Sequence, residues 1–489
     1  MGLILPALIL SAVLYAAWGA IANYRQLRQF KGPPLAAFSR AWLFWKTCNA
    51  DLYKAEQEAI EKYGSVARVG PNLLVTDDAD LVRHMNAPGS KWTRSGWFTG
   101  LKLDPRRDTV FSTRDEKEHA ELKAKETGAY YGRDIEPLEP NVDARIVDML
   151  SLIREKYDGV TMDLAKVARF FTLDVLSTIA FGRPFGFMAA NEDLWDYDQT
   201  TSSFLQVLEW TAYHKSVRWL IHSPFMQKLA APKVTDKRGM GPMLGFARQA
   251  VAERFGDKPV VKNDMLGHFV SKGLDQLQCE AEASLQIVAG SDSTTTVLRS
   301  TLFHLIATPV AYVKLSAEID AAARDGSLSY PIVTYAETQK LPCLQAVIWE
   351  GLRMYPPLFG MKMKCAPPGG ETIKGIYFPE GCELGICDDS MQKNKKVFGA
   401  DANLFRPARW IEADAETIVK YRRVVDTGFS SGRFLCLGRH IAMMELHKAL
   451  VELIRNFDWA IANPTSGIST VSYGVHIQRD MNVIASPKE

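Results

Sequence analysis

Among the seven cysteines, Cys436 is singled out by its neighbours. The segment Phe429-Ser430-Ser431-Gly432-Arg433-Phe434-Leu435-Cys436-Leu437-Gly438 runs straight into an apolar helical pattern from Arg439 to Phe457, so the cysteine sits at the mouth of a helix. Free backbone N–H groups and the positive end of the helix dipole stabilise a thiolate there. Gly432 and Gly438 let the backbone pass close to a flat cofactor. A lone cysteine near a glycine-rich turn is more often a buried structural thiol, so its surroundings must decide. Glu350 and Arg353 lie three apart on a predicted helix that ends at Pro356-Pro357. They share a face and can pair, although a solvated helix face looks the same. In Ala289-Gly290-Ser291-Asp292-Ser293-Thr294 a carboxylate and hydroxyls interrupt an otherwise apolar helical run. Polar groups in a core helix need a purpose, either proton handling or hydroxyls bonded back to carbonyls one turn earlier.

These groups require a scaffold, and the periodicity supplies a mainly helical one. Apolar residues recur at helical spacing through 142–157, 163–181, 280–306, 310–323 and 341–355. Two β-like stretches at 65–69 and 72–76 flank the turn pair Gly70-Pro71. Between Pro356 and Gly385, proline and glycine punctuate short runs that predict small sheets and turns. Nothing repeats at a fixed period, so one interlocked body over residues 35–489 is expected.

Of the 489 residues, 47% are hydrophobic and 23% charged, enough for a large buried core. A formal charge of +2 gives no overall field for a nucleic-acid partner. Seven cysteines without a C-x-x-C pair fit a reducing, cytosol-facing compartment. Met1 to Tyr24 carries no charged side chain, and Arg25, Arg28 and Lys31 follow at once. That arrangement predicts a single-pass transmembrane anchor over 1–24 with the rest of the chain on the cytoplasmic side. Residues 25–34, ending in Gly32-Pro33-Pro34, read as a stiff basic linker. A cleaved signal peptide is the rival reading, supported by Ala16, Ala17, Gly19 and Ala20 but not by a basic n-region.

Phe429, Gly432, Cys436 and Gly438, continued by Ala442 and Glu445, resemble the haem-binding signature of the cytochrome P-450 superfamily. The resemblance implies a mainly α fold with small β-sheets and Cys436 as the thiolate ligand of haem iron. Phe434 stands where the family usually has a basic residue that pairs with a haem propionate, and Arg433 lies one place earlier. Phe405-Arg406-Pro407-Ala408-Arg409-Trp410 is similar to the family element whose arginine completes a buried cluster, here Glu350, Arg353 and Arg409. The run 289–294 resembles the oxygen-binding motif, with Asp292 and Ser293 as the acid and alcohol that relay protons and Thr294 beside them. Many members have threonine where this chain has Ser293. His119, Lys123 and Lys364 occupy positions of propionate partners where the family more often has Trp, Arg and Arg, and plain surface charge is the alternative.

By the same resemblance the cofactor is haem b, and electrons come from NADPH through a separate flavoprotein reductase, with cytochrome b5 as a further partner. The chain itself shows no flavin domain and no dinucleotide fingerprint. Lys393, Lys395, Lys396, Arg422, Arg423 and Arg439 are candidates for the docking patch. Pocket segments fall at 97–111, 202–225, 357–361 and 472–475, rich in apolar side chains that suit a lipophilic small molecule. The expected reaction inserts one oxygen atom from O2 by hydroxylation, epoxidation or dealkylation. The expected setting is the endoplasmic reticulum membrane and fungal secondary-metabolite biosynthesis, near the pisatin-demethylase-like microsomal branch. The rivals are a haem-thiolate isomerase or dehydratase that does not use O2, and a non-catalytic membrane-tethered haem-binding protein.

Overall fold

The computed structural model describes residues 19, 21, 22, 24–133, 135–358, 360–465 and 468–488. The expected anchor over 1–24 lies almost wholly outside the described residues. Among those described, no single helix is long and apolar enough to cross a membrane.

The helices that position the site are α1 (Ala41–Cys48), α2 (Glu116–Tyr130), α3 (Leu138–Lys156), α4 (Leu164–Phe181), α5 (Tyr197–Tyr213), α6 (Lys215–Ile221), α7 (Gln276–Ile306), α8 (Pro309–Arg324), α9 (Pro342–Met354) and α10 (Arg439–Asn456). Their ends follow local chemistry. The Asp275 side chain accepts from Gln278 N at 2.7 Å and starts α7 four residues earlier than its apolar period does. Proline at the first position opens α8 and α9, where its missing N–H costs nothing. Gly182, in the left-handed region at φ 74°, ends α4. The central helix α7 packs against α4, α9 and α10, and one cluster of buried apolar side chains extends from Leu27 to Ala485.

The largest sheet has strands β1 (Val66–Gly70), β2 (Leu73–Thr76), β3 (Thr93–Arg94), β4 (Lys364–Cys365) and β5 (Glu383–Ile386), in the spatial order β1-β2-β5-β4-β3. The β1–β2 hairpin turns at Gly70-Pro71 as its sequence predicts, and β2–β5 is the parallel pair. The register of β3 on β4 sets Arg94 directly opposite Lys364. The expected short sheets after Pro356 include the hairpin of Glu371–Ile373 with Ile376–Phe378.

The basic stretch 25–34 is docked rather than free. Leu27 and Phe30 are buried, Phe30 stacks on Phe378 at 5.8 Å, and Gln29 donates to the Tyr377 carbonyl at 2.7 Å. Apolar side chains among the charged ones drive this, so the segment is part of the body.

Where α7 meets α9, a Cβ on Gly351 would stand 1.9 Å from Thr301 Oγ1. Gly351→Ala is expected to cost about 1–3 kcal/mol by overpacking, seen as a lowered midpoint in denaturant melts with the mutant's secondary structure intact.

Candidate active site

The cysteine loop is built from two short turns, Asp426–Phe429 and Gly432–Phe434, followed by α10. Gly432 is required twice over. Its φ is +55°, and a Cβ there would lie 2.1 Å from the Asn86 carbonyl oxygen. Cys436 N donates to the Phe429 carbonyl at 2.8 Å, which closes the loop. No side chain caps α10 at Gly438, so its first N–H groups are left for the cysteine. Burial pushes the Cys436 thiol up, while the N–H of Gly438, the charge of Lys123 and the N–H and charge of Arg439 act against it. Cys436 alone among the seven cysteines is exposed: a thiol enclosed by protein yet open on one side borders internal space.

Around Phe434 the structure gathers cations. The Lys364 ammonium lies 3.1 Å from the ring centroid, and the guanidinium groups of Arg94 and Arg433 lie at 4.6 and 4.9 Å. The His119 ring is 5.1 Å away. Lys364 is 2% exposed, and its Nζ has no hydrogen-bond partner among the described residues. Burial, and then Arg94, pull its pKa well below the ordinary lysine value. Burial together with Arg94, Lys123, Lys364 and Arg433 brings His119 down to about 3. Glu116, 3.5 Å from Arg433 Nε, is the carboxylate beside this cluster, so three cations held together away from water have room for further negative charge. Lys123 Nζ donates to the carbonyls of Arg433 at 2.7 Å and Leu435 at 2.9 Å, bracing the cysteine loop from α2.

Glu350, Arg353 and Arg409 meet in the core, all at most 1% exposed. Glu350 accepts from Arg353 Nε and Nη2 at 2.9 and 2.8 Å, from Arg409 Nε at 3.0 Å, from Arg406 N at 2.8 Å and from Trp410 Nε1 at 2.9 Å. Burial alone would raise its carboxyl, but the hydrogen bonds and charge of Arg353, then Arg409, hold it below the usual value. The remaining arginine donors reach the carbonyls of Gln392, Ala402, Leu404, Phe398 and Asp401. The pair is therefore not a solvated helix face.

On α7 the polar run divides between two faces. Ala289 is exposed and Ser293 half-buried in the middle of a core helix, so that face borders open space. Ser293 Oγ donates to the Ala289 carbonyl at 2.7 Å, the back-bonded arrangement. Asp292 points to the other side, 3% exposed. Its Oδ1 lies 3.2 Å from Arg169 Nε of α4, and its Oδ2 accepts from the Tyr197 hydroxyl of α5 at 3.1 Å. Tyr197 also meets Ser291 Oγ at 2.9 Å. Arg169 pairs in turn with Asp198, which Arg479 Nε reaches at 3.1 Å. Thr294 is buried.

A family model for cytochrome P450 matches residues 34–473. This chain belongs to the cytochrome P450 family. Relatives include cytochrome P450 monooxygenase ABA1 of Pyricularia oryzae, 37% identical over 493 residues that cover 98% of this chain and 96% of the relative. Cytochrome P450 monooxygenase aba1 of Botryotinia fuckeliana is 35% identical over 471 residues, 95% and 92% of the two chains. Pisatin demethylase of Fusarium vanettenii is 26% identical over 452 residues, 90% and 85%. This cytochrome P450 is accordingly a monooxygenase, with the family's haem cofactor, redox partner and lipophilic substrates.

The residues present fit haem. Its iron needs the open Cys436 thiol, and its two carboxylates answer the unpaired Lys364 and the cations beside it. Arg94, on a two-residue strand, carried no periodic or motif signal and escaped sequence reasoning. Its pairing with Lys364 puts a cation where the loop itself has Phe434. The pocket segments come together, apart from Phe359, which lies outside the described residues. Tyr213 OH accepts from Met361 N at 2.9 Å, Trp97 packs 6.4 Å from Tyr213 and 6.3 Å from Phe111, and Leu358 bridges Val475. Beside them Glu209 is buried without a hydrogen-bond partner among the described residues, its carboxyl raised by burial. Of the docking candidates, Lys393, Arg423 and Arg439 pair with Asp389, Asp80 and Asp426, while Lys395, Lys396 and Arg422 are exposed.

Glu350→Ala leaves the buried Arg353 guanidinium without a carboxylate and Arg409 with Asp401 alone, a cost of about 3–5 kcal/mol. The expected outcome is protein without stoichiometric haem by pyridine haemochrome assay, and full haem content would contradict the assigned role. Arg94→Gln and Lys364→Gln are each expected to lower haem affinity by about 1.5–3 kcal/mol, measured as faster haem loss to apomyoglobin.

Proposed function

We propose that this monooxygenase hydroxylates, epoxidises or dealkylates a lipophilic small molecule in fungal secondary metabolism. Its haem is haem b, and its electrons come from NADPH through a separate flavoprotein reductase, with cytochrome b5 as a second donor. Residues 1–24 form a single-pass anchor in the endoplasmic reticulum membrane, with the catalytic body facing the cytosol. An uncharged stretch followed by Arg25, Arg28 and Lys31 supports that placement.

The observation that carries the reading is the combination of an open thiol at Cys436 with a cage of three cations around Phe434, in which Glu116 pairs with Arg433 and Lys364 Nζ has no hydrogen-bond partner among the described residues. Thiolate-ligated haem, when bound, supplies activation of O2 for transfer of one oxygen atom. Cys436 holds the iron, with its negative charge stabilised by the N–H groups of α10. Arg94, Arg433, Lys364 and His119 hold the two carboxylates. Phe429, Gly432 and Gly438 shape the loop against the cofactor's face, and Glu350, Arg353 and Arg409 fix its approach. Ala289 leaves room on the open face of α7, and Ser293 presents its hydroxyl there. The Tyr197 hydroxyl positions Asp292 at Oδ2, and Asp292, by turning from Arg169, carries protons taken up from water toward Ser293 and the open face. The apolar walls contributed by Trp97, Phe111 and Met361 exclude water and favour a lipophile.

With the full chain, the reductase, NADPH and 18O2, a lipophilic metabolite that shifts the haem spectrum is expected to gain one labelled atom by hydroxylation or epoxidation, or to lose an alkyl group as an aldehyde that carries the oxygen away. Label from water in a hydroxylated or epoxidised product, or any product without NADPH, would contradict the reading. Asp292→Asn is expected to cut product formation about 10²-fold while the substrate-induced spectral shift is retained.

A further inference from the structure

A cleft of about 470 Å³ lies outside the haem site, lined by Arg40, Arg114, Lys215, Arg218, Glu383 and Cys365 among others. Four cations face a single carboxylate. Arg40 Nη2 binds Glu383 at 2.9 Å, which uses that carboxylate. Arg114, Lys215 and Arg218 have no ion-pair partner among the described residues. Backbone carbonyls nevertheless hold three of the cations in place. Arg40 Nη1 donates to Tyr213 O at 2.8 Å, Arg114 Nε to Arg94 O at 3.0 Å, and Arg218 to Gly96 O. The Arg218 guanidinium lies close on this backbone, 3.1 Å from where a Cβ on Gly96 would stand. Arg218 is pulled below the ordinary arginine value by burial, with Arg114 and Arg40 adding to the effect against Glu383. A concave site with this excess of fixed cations selects a compact anion.

The neighbourhood of the cleft says what carries that anion. Helix α6 brings Lys215 and Arg218 to the cleft and, on the adjoining face, leaves Trp219 77% and Leu220 49% exposed. Helix α1 lies alongside: Phe44 packs 5.1 Å from His214, the residue before α6, and Thr47 bonds the same ring at 3.0 Å. Phe44 and Trp45 of α1, with Leu35 and Phe38 just before it, are also exposed. Clustered exposed aromatic and aliphatic side chains beside a cationic cleft match an amphiphile, charged at one end and apolar at the other.

We propose that the cleft binds the phosphate headgroup of an anionic phospholipid, its acyl chains lying along Trp219, Leu220 and the exposed side of α1. Arg114, Lys215 and Arg218 hold the phosphate oxygens while Arg40 stays on Glu383. Strand β4 separates the two anion sites, since successive residues point to opposite faces: Lys364 turns to the haem cage and Cys365 lines the cleft.

The test uses the full-length haem protein in a neutral maltoside detergent, with dihexanoyl phosphatidate, dihexanoyl phosphatidylcholine and inorganic phosphate as probes in separate titrations. Saturable binding of the phosphatidate is expected, at least tenfold tighter than the phosphatidylcholine and the free phosphate, and weakened by salt. Lys215→Gln with Arg114→Gln, both exposed positions, is expected to weaken phosphatidate binding at least tenfold with the haem spectrum unchanged. Trp219→Ser is expected to weaken the lipid and leave free phosphate alone. Equal affinity for the two lipids, or undiminished binding in the double variant or in Lys215→Gln alone, would overturn the proposal. Free phosphate binding as tightly as the phosphatidate would overturn the lipid as its source.

Discussion

A carboxylate removed from water is tolerable only when its lone pairs are used, and Glu350 meets that condition with five N–H donors from Arg353, Arg406, Arg409 and Trp410. The two arginines are bound by the same rule, and each completes its hydrogen bonding on backbone carbonyls between 392 and 404. One buried charge thereby determines the path of an irregular stretch that has little secondary structure of its own. The stretch delivers the chain to the cysteine loop, where Lys123 takes hold of the carbonyls of Arg433 and Leu435. Position of the thiol thus rests on charge satisfaction at two places, one behind the loop and one on its flank.

The opposite condition holds on the other side of the loop. There Lys364, Arg94 and Arg433 converge beside His119, with Glu116 3.5 Å from Arg433, and Phe434 sits among them as an apolar platform with a negative ring face. Glu350 is satisfied completely, whereas Lys364 Nζ has no hydrogen-bond partner among the described residues. The cations around Phe434 therefore come from three elements, Arg94 from β3, Lys364 from β4 and Arg433 from the loop itself.

Local features were legible in the sequence where chemistry and spacing coincide. The helix following Cys436, the hairpin at Gly70-Pro71 and the Glu350–Arg353 spacing each depend on residues close in the chain, and the structure holds them as expected. Features that depend on long-range register were not legible. Arg94 reaches the cage only because β3 pairs with a strand 270 positions later, and Lys123 meets the carbonyls of Arg433 and Leu435 across more than 300 positions. Helical periodicity placed Asp292 and Ser293 on one helix, but not which neighbours the helix turns each toward. Packing on α4 and α5 gives Asp292 to Arg169 and Tyr197 and leaves Ser293 on the open face. In residues 25–34 the charged residues dominate the composition, whereas Leu27 and Phe30 decide where the segment packs.

The central claim is that Cys436 binds haem iron as a thiolate. The most direct measurement is the absorption spectrum of the reduced, carbon monoxide-bound full-length protein, compared with Cys436→Ser prepared identically. The account predicts a strongly red-shifted Soret band in the wild type that is absent from the variant. The same band in both proteins, or its absence from a haem-replete wild type, would contradict it.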